Sequence, residues 1–197
     1  MKKGKTPVLA VDEARILLDS IDTSTVMGLR DRALIALMAY TFARISAATA
    51  IKVEDYFVQG RRSWVRLYEK GGKQHDAPAH HNLDEYIETY IKVAGLEGDP
   101  KGFLFRTVAG KTGRLTPLPL SQADAYRMIR RRAKAAGIQT KIGNHTFQAT
   151  RITAYLRNGG KLKIAQQIAA HESSRTTALY DRRDDDVNLD EVERIVI

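Results

Sequence analysis

The sequence predicts a mostly α-helical domain with one small antiparallel β-hairpin or sheet, an α+β fold. Apolar residues recur at helical spacing in most segments. One stretch, residues 62–69, instead alternates between apolar and polar or aromatic positions ahead of a glycine-rich turn. No repeat, low-complexity block or convincing linker divides the 197 residues, so we expect a single domain with a full core.

Two helices are predicted in the first 42 residues, after a basic lead-in at residues 1–8. The segment Asp12–Ile21 has apolar residues at helical spacing, and the polar stretch Asp22–Thr25 interrupts it. The segment Leu29–Phe42 is nearly continuously apolar after its first residues, which is typical of a helix buried on all sides. We expect this second helix to carry the core.

The β-hairpin is predicted from Arg62 to Ala77. In the first strand, Val65 and Leu67 face one side of the sheet and the intervening residues face the other. The glycines of Lys70-Gly71-Gly72-Lys73 allow the positive φ of a tight turn. The returning strand ends at Pro78, because proline cannot donate a ladder hydrogen bond.

Four more helices are predicted downstream. The first covers the apolar positions from Leu83 to Ile91, with Gly95 as its C-terminal stop. The second opens at the capping box Ser121-x-x-Asp124 and runs to Ala136. The last two cover Thr146–Leu156 and Leu162–Ala170.

The remaining segments are predicted to be connections. Ile51–Phe57 is interpreted as a short connection that enters the β region. Gly98–Pro119 holds four glycines and three of the five prolines, so we expect mostly loop, with Phe103–Phe105 as a short buried piece. After Asp181 the tail is acidic, and Leu189–Ile197 again has apolar residues at helical spacing.

The charge balance indicates a polyanionic partner. Lys and Arg number 32 against 23 Asp and Glu, which gives a formal net charge of +9 and a pI near 9.8. Such a surface attracts phosphate backbones. No apolar run reaches the roughly 20 residues that span a bilayer, so we expect no membrane partner. The absence of cysteine excludes disulfides and thiolate metal sites and fits a cytoplasmic location.

Two histidines and a tyrosine are candidates for chemistry on that polyanion. His145 precedes one predicted helix, His171 follows the next, and Tyr180 lies nine residues beyond His171. Histidine transfers protons near neutral pH, and a phenol can attack phosphorus when a neighbour accepts its proton. Each residue alone is more often structural, so the argument depends on the three together.

Three other histidines, His75, His80 and His81, invite a metal-binding interpretation. Their spacing matches no standard metal site, and no acidic residue completes one. We therefore expect no metal and no cofactor, and chemistry that depends on side chains alone.

The C-terminal stretch resembles the signature of the tyrosine recombinase (phage integrase) family, in its catalytic domain. In that family His-x-x-Arg on one helix is followed by a second histidine and then by a nucleophilic tyrosine nine residues later. His145, His171 and Tyr180 stand at these spacings. Two earlier motifs match in order: Arg44-Ile45-Ser46 corresponds to the first arginine of the family and Lys70-Gly71-Gly72-Lys73 to its hairpin lysine.

The resemblance covers about Pro7 to Ile197 and implies transesterification on DNA, with nucleophilic attack by Tyr180 and a covalent 3′-phosphotyrosyl intermediate. It implies that Arg44 holds the scissile phosphate and that Lys70 protonates the leaving 5′ oxygen. His145 and His171 would contact the phosphate and move protons.

Two positions depart from the family pattern. Gln148 stands where the second arginine is expected, and an amide brings neither charge nor a bidentate fork. Arg151 lies three residues further along, on roughly the same helix face, and we hypothesise that it partly supplies the missing charge. The acidic residue often found after the Arg-Ile-Ser motif is Ala47 here, so carboxylate support for Arg44 is expected to be missing.

The alternative interpretation is a catalytically inactive DNA-binding module of the same fold. A more distant one is a basic RNA-binding protein, in which the histidines and the tyrosine coincide by chance. The predicted DNA contacts are Lys73, Arg127, Arg130, Arg131 and Arg151. Arg130-Arg131-Arg132 would otherwise be a solvated helix face.

The resemblance also implies partners and boundaries. We expect residues 9–197 to be the catalytic domain, without the N-terminal DNA-clamping domain usual in the family, and therefore expect weak binding of double-stranded DNA by this domain alone. Family members act as tetramers, often by exchange of a C-terminal helix. Leu189–Ile197 permits such an exchange and equally permits packing onto its own domain. The expected location is the nucleoid.

Overall fold

The structure, a computed structural model, describes residues 7–41, 43–69, 72–143 and 146–168. Its helices are α1 (Val11–Asp19), α2 (Val26–Thr41), α3 (Ile45–Ala50), α4 (His81–Ala94), α5 (Gln122–Ala135), α6 (Thr146–Arg157) and α7 (Leu162–Ile168). Its strands are β1 (Tyr56–Gln59), β2 (Arg62–Glu69), β3 (Lys73–Pro78), β4 (Arg106–Val108) and β5 (Leu115–Pro119). None of the helices within these residues is long and apolar enough to cross a membrane.

Helix α2 forms the centre of the core, as its apolar sequence predicts. Residues 33–38 are all buried, and α1, α3, α4, α5 and α6 contact this helix. The helix begins at Val26, three residues before the predicted start. Gly28 permits this start, because a Cβ at that position would lie 1.7 Å from the carbonyl oxygen of Asp22.

The predicted hairpin is confirmed as two strands of a three-stranded antiparallel sheet in the order β1-β2-β3. Val65 and Leu67 are fully buried, and Glu69 continues the same inward-facing alternation. Glu69 lies opposite Lys73 in the register of β2 and β3. The third strand corrects the expectation of a simple connection: after a 3₁₀ turn at Val53–Asp55, β1 pairs along the outer edge of β2. Residues 70 and 71 of the turn lie outside the described residues.

A second antiparallel pair, β4 and β5, occupies part of the region expected to be mostly loop. Arg106 pairs with Pro119, and β5 pairs with β4 alone among the described strands. Edge pairing explains how a strand can contain two prolines. Leu104 and Phe105 are fully buried and Phe103 is half-buried, so the predicted buried piece before this hairpin is confirmed at its last two residues.

The predicted helix ends are confirmed at two helices. The Ser121 hydroxyl accepts a hydrogen bond from the Asp124 N–H at 3.0 Å and so caps α5. Gly95 follows α4 with a φ of 64°, the left-handed conformation that glycine adopts without strain. The Ser121 cap and the Gly95 stop could be predicted because each depends only on residues close by in the sequence.

The entering chain is fixed to α6 by a buried hydrogen bond. The backbone N–H of Leu9 donates to Thr150 Oγ1 at 2.9 Å, and that hydroxyl donates to the Thr146 carbonyl at 2.7 Å. Helix α6 contributes Phe147 to the main core and packs on α2. The N-terminal segment and the helix that bears Gln148 are therefore in direct contact.

Candidate active site

Arg44 lies where the central helix gives way to a second, short helix. Helix α2 ends at Thr41 and α3 begins at Ile45, and Arg44 is the extended residue that precedes α3, with φ −71° and ψ 152°. Its side chain is 27% exposed, whereas Ala43 and Ile45 are buried on either side. Helix α3 was not predicted from the sequence. The turn between the two helices brings this guanidinium from the core to the surface.

Glu69 is the acidic partner of Arg44. Its Oε2 accepts a hydrogen bond from Arg44 Nη1 at 2.5 Å, and its Oε1 lies 3.5 Å from the Arg44 backbone nitrogen, a long contact. The Glu69 side chain is only 2% exposed. The expectation that Arg44 lacks carboxylate support because position 47 is alanine is therefore wrong: the support comes from strand β2.

The role of Glu69 was not predicted from the sequence, although a signal was present. Val65 and Leu67 predict the inward face of β2, and Glu69 is the next residue in that period-two pattern. A carboxylate at a buried strand position requires a cationic or hydrogen-bonding partner. The pattern therefore could have predicted a buried ion pair, but not that Arg44 completes it.

His75 lies on β3, next to this ion pair. It stands opposite Leu67 in the strand register, and its two ring nitrogens are buried and have no hydrogen-bond partner among the described residues. Burial lowers the pKa of the imidazole; the Glu69 charge opposes this shift, and the Arg44 charge adds to it. The ring is accordingly neutral at pH 7.

Gln148 and Arg151 occupy different environments on α6. Gln148 is buried, 3% exposed, so the position of the expected arginine holds an uncharged amide at the protein interior. The Arg151 guanidinium lies 5.3 Å from the centre of the Tyr40 ring. Arg151 lines a cavity of about 540 Å³ between α1, α2, α4 and α6.

The same cavity contains a stack of three rings. Tyr40 stacks on His80 with ring centres 4.3 Å apart, and His80 contacts the His81 ring at 4.0 Å. His80 Nδ1 accepts a hydrogen bond from the Asn82 N–H at 3.2 Å and caps α4. Burial lowers the pKa of His80, and the neighbouring His81 and Arg151 lower it further. His80 therefore acts as a helix cap.

The arginines of α5 divide between two faces of the helix. Arg127, Arg130 and Arg131 are exposed and line an open groove together with Lys134 and Lys141. Arg127 forms an ion pair with Asp124 on its own helix. The consecutive arginines therefore do not act as one surface, because Arg132 turns inward.

Four of the predicted catalytic residues, Lys70, His145, His171 and Tyr180, lie outside the described residues. So does the C-terminal segment predicted to mediate assembly. Lys73, a predicted DNA contact, is exposed at the start of β3, opposite Glu69. The described part of the site is thus an arginine at a helix start, held from behind by a buried carboxylate, beside the base of a β-hairpin. A guanidinium held in this way can bind a phosphate oxygen.

The sequence matches the phage integrase family over residues 7–186, nearly the whole chain. The chain belongs to the phage integrase family. Its fold class, mostly helical with small antiparallel sheets, is the one that the sequence predicts. Phage integrases are also called tyrosine recombinases, so the family resemblance found in the motifs is confirmed.

Curated relatives of this phage integrase domain include the tyrosine recombinase XerD of Staphylococcus saprophyticus, which is 30% identical over 176 residues. The XerD of Staphylococcus aureus strain Mu50 is 31% identical over the same length. Each match covers 88% of this chain and 57% of the relative. The chain therefore spans little more than half the length of the curated relatives that it matches.

Solved phage integrase structures share the fold. A XerH recombinase in a post-cleavage complex with a palindromic difH substrate superposes with a TM-score of 0.76 at 22% identity, covering 98% of this chain and 54% of that one. The XerA recombinase gives 0.75 at 25% identity, covering 98% and 65%. A lambda integrase dimer bound to a COC′ core site gives 0.65 at 19% identity, covering 95% and 64%.

Proposed function

We propose that this chain is the catalytic domain of a site-specific DNA recombinase. It cleaves and rejoins DNA strands by transesterification, without a metal, through a 3′-phosphotyrosyl intermediate at Tyr180. Membership of the phage integrase family supports the reaction class. The observation that carries the proposal to this chain is Arg44, which stands at the start of α3 with a buried carboxylate behind it.

In the proposed reaction the phenol oxygen of Tyr180 attacks the scissile phosphorus, and the bond to the 5′ oxygen breaks. Lys70 protonates that leaving oxygen, while His145 or His171 accepts the phenol proton. Arg44 stabilises the negative charge that accumulates on the non-bridging phosphate oxygens. The phosphodiester energy remains in the protein–DNA bond, so a DNA hydroxyl can reverse the step without ATP.

The effect of Gln148 on cleavage distinguishes the active recombinase from a DNA-binding module of the same fold. A buried, uncharged amide can donate a hydrogen bond to phosphate but cannot neutralise it. We propose that Arg151, on the same helix, supplies part of the missing charge. The second candidate function is a DNA-binding module that has lost cleavage, and the burial of Gln148 is the observation that favours it.

The proposed substrate is double-stranded DNA. The exposed Arg127, Arg130 and Arg131, together with Lys73, provide positive charge for phosphate contacts. Residues 9–197 would form the catalytic unit, and the segment Leu189–Ile197 would join copies of it into a tetramer. The lambda integrase tetramer bound to a Holliday junction has a related fold, with a TM-score of 0.63, and supports this assembly by analogy. The place of action would be the nucleoid.

Covalent trapping on a nicked duplex tests the proposal. The duplex carries a site that the protein binds, and the nick lets the cleaved fragment diffuse away, so that an adduct resistant to denaturation accumulates. An adduct from the wild type that is lost in Tyr180→Phe establishes the enzyme. If Gln148→Arg forms an adduct and the wild type does not, the site is intact except for the missing charge at position 148. If neither protein forms an adduct on a duplex that it binds, the DNA-binding module is the correct function.

A further inference from the structure

We infer that Glu69 is the positioning residue of the active site. Its carboxylate holds the Arg44 guanidinium toward the scissile phosphate, from a place in the fold different from position 47. This inference deepens the proposed function and depends on it for the role of Arg44. The proposed reaction assigns Glu69 no part, because the carboxylate touches neither substrate nor a reacting atom.

The burial of the two side chains is strongly asymmetric. The Glu69 side chain is 2% exposed and that of Arg44 is 27% exposed, with Oε2 and Nη1 2.5 Å apart. The carboxylate is thus fixed in the interior, and the guanidinium lies between it and the surface. A surface ion pair would leave both groups free to move, whereas here only one end of the pair reaches solvent.

The shape of the guanidinium makes this arrangement useful. It is planar and carries five N–H donors in a rigid fork. One nitrogen, Nη1, donates to Glu69, and the fork retains further N–H groups for an anion approaching from solvent. A fixed donor costs no reorganisation when charge develops in the transition state. Glu69 would therefore act on the rate of cleavage more than on DNA affinity.

The position of Glu69 also connects two parts of the site. It is the last residue of β2, and residue 70, the proposed general acid, follows it directly. Adjacent Cα atoms are about 3.8 Å apart. The side chain that holds Arg44 thus belongs to the strand that leads into the hairpin turn. An acidic residue on α3 could not provide that link.

The test compares Glu69→Gln with Glu69→Asp and Arg44→Ala on the nicked duplex, in the wild type or, if that does not cleave, in Gln148→Arg. The rate of adduct formation is measured at saturating protein, and the Kd of the same duplex separately. Removing one charge-assisted donor lowers rates by about 10² to 10³, the effect expected for Arg44→Ala. For Glu69→Gln we expect a loss of at least about tenfold, bounded by that value. Glu69→Asp should recover part of it.

A double-mutant cycle separates positioning from a general effect on folding. In the Arg44→Ala background, Glu69→Gln should lower the rate no further, because its action passes through the arginine. Asp76→Asn is the matched control: it removes a carboxylate from the same sheet, paired with Arg66 rather than Arg44, and should leave the rate unchanged. If Glu69→Gln does not fold, Glu69→Asp retains the charge, and a reduced rate in folded protein then carries the same test.

Two results would overturn the inference. One is a folded Glu69→Gln protein that cleaves within twofold of its parent. The other is a full additional loss in the Arg44→Ala background, which would mean that Glu69 acts independently of Arg44. If neither parent cleaves, the proposed function has failed and with it the positioning role of Glu69. The cycle of Kd values then tests only whether the two side chains act as a pair, which additive weakening would contradict.

Discussion

Arg132 of α5 donates two hydrogen bonds to Asp31 of α2, from Nε at 3.0 Å and from Nη2 at 2.8 Å, both to Oδ2. The other oxygen, Oδ1, accepts from Arg30 at 2.8 and 3.1 Å. Asp31 is fully buried. One carboxylate therefore joins two helices that are far apart in sequence, and it withdraws Arg132 from the basic face of α5.

Replacing this carboxylate should be costly. In Asp31→Asn two arginines lose their counter-charge while the site remains buried, and breaking a buried pair costs about 3–5 kcal/mol. We expect a loss of that size in the free energy of unfolding, measured by urea denaturation. Asp76→Asn, which removes a partly exposed ion pair with Arg66, should cost no more than about 1 kcal/mol. Equal losses in the two variants would contradict a structural role for Asp31.

His75 should make the stability depend on pH. Burial lowers its pKa below the ordinary 6.5 in the folded protein, so the unfolded chain binds the proton more readily. The free energy of unfolding should therefore fall as the pH drops through about 6.5. His80, whose pKa is also lowered, acts in the same direction.

The measurement is the free energy of unfolding at pH 8 and at pH 5.5, for the wild type and for His75→Leu. Since the variant has no imidazole to protonate at this position, its stability should fall less between the two pH values. Part of the pH dependence of stability that remains in His75→Leu comes from His80. An identical pH dependence in both proteins would show that His75 has the same pKa folded and unfolded.

Exposed arginines of α5 should determine the salt dependence of DNA binding. Each phosphate neutralised by a cation contributes about 0.9 to the slope of log K against log salt concentration. Arg131→Ala should therefore lower that slope by about one unit if Arg131 contacts a phosphate. Arg132→Gln removes the same charge from the inward face and should leave the slope nearly unchanged. The reverse ranking would place DNA against a different surface.

Gln148→Arg should increase cleavage sharply if the missing charge limits the reaction. Restoring one charge-assisted donor corresponds to about 10² to 10³ in rate. Single-turnover adduct formation measures the change. If Arg151 partly compensates in the wild type, Arg151→Ala should reduce wild-type cleavage but have a smaller effect in Gln148→Arg. Wild-type cleavage that survives Arg151→Ala would eliminate compensation.

The sequence predicted the features that depend on neighbouring residues. The cap formed by Ser121 and the stop at Gly95 are each specified within four positions, and the alternation of β2 by its own residues. The six-residue helix α3 was missed because it is shorter than helices that show a periodic face. Strand β5 was missed because its prolines argue against a strand, and only its edge pairing with β4 accommodates them.

The site was predictable only in part, for the same reason. The motif at Arg44 is local and was recognised, and its side chain is 27% exposed. Its partner Glu69 is 25 residues away, and the pairing depends on how α3 packs against β2. Arg132 was grouped with its exposed neighbours because the identity of its partner Asp31, 101 residues earlier, is a property of the tertiary fold.

The hydrogen bond between Leu9 and Thr150 couples the segment before α1 to helix α6. The two residues are 141 positions apart in sequence, and a buried hydrogen bond of 2.9 Å joins them directly. Thr150 lies two residues after Gln148 and directly before Arg151, so this hydrogen bond is made next to both residues. The segment that leads into α1 therefore cannot move away from α6, the helix of Gln148 and Arg151, without breaking this buried hydrogen bond.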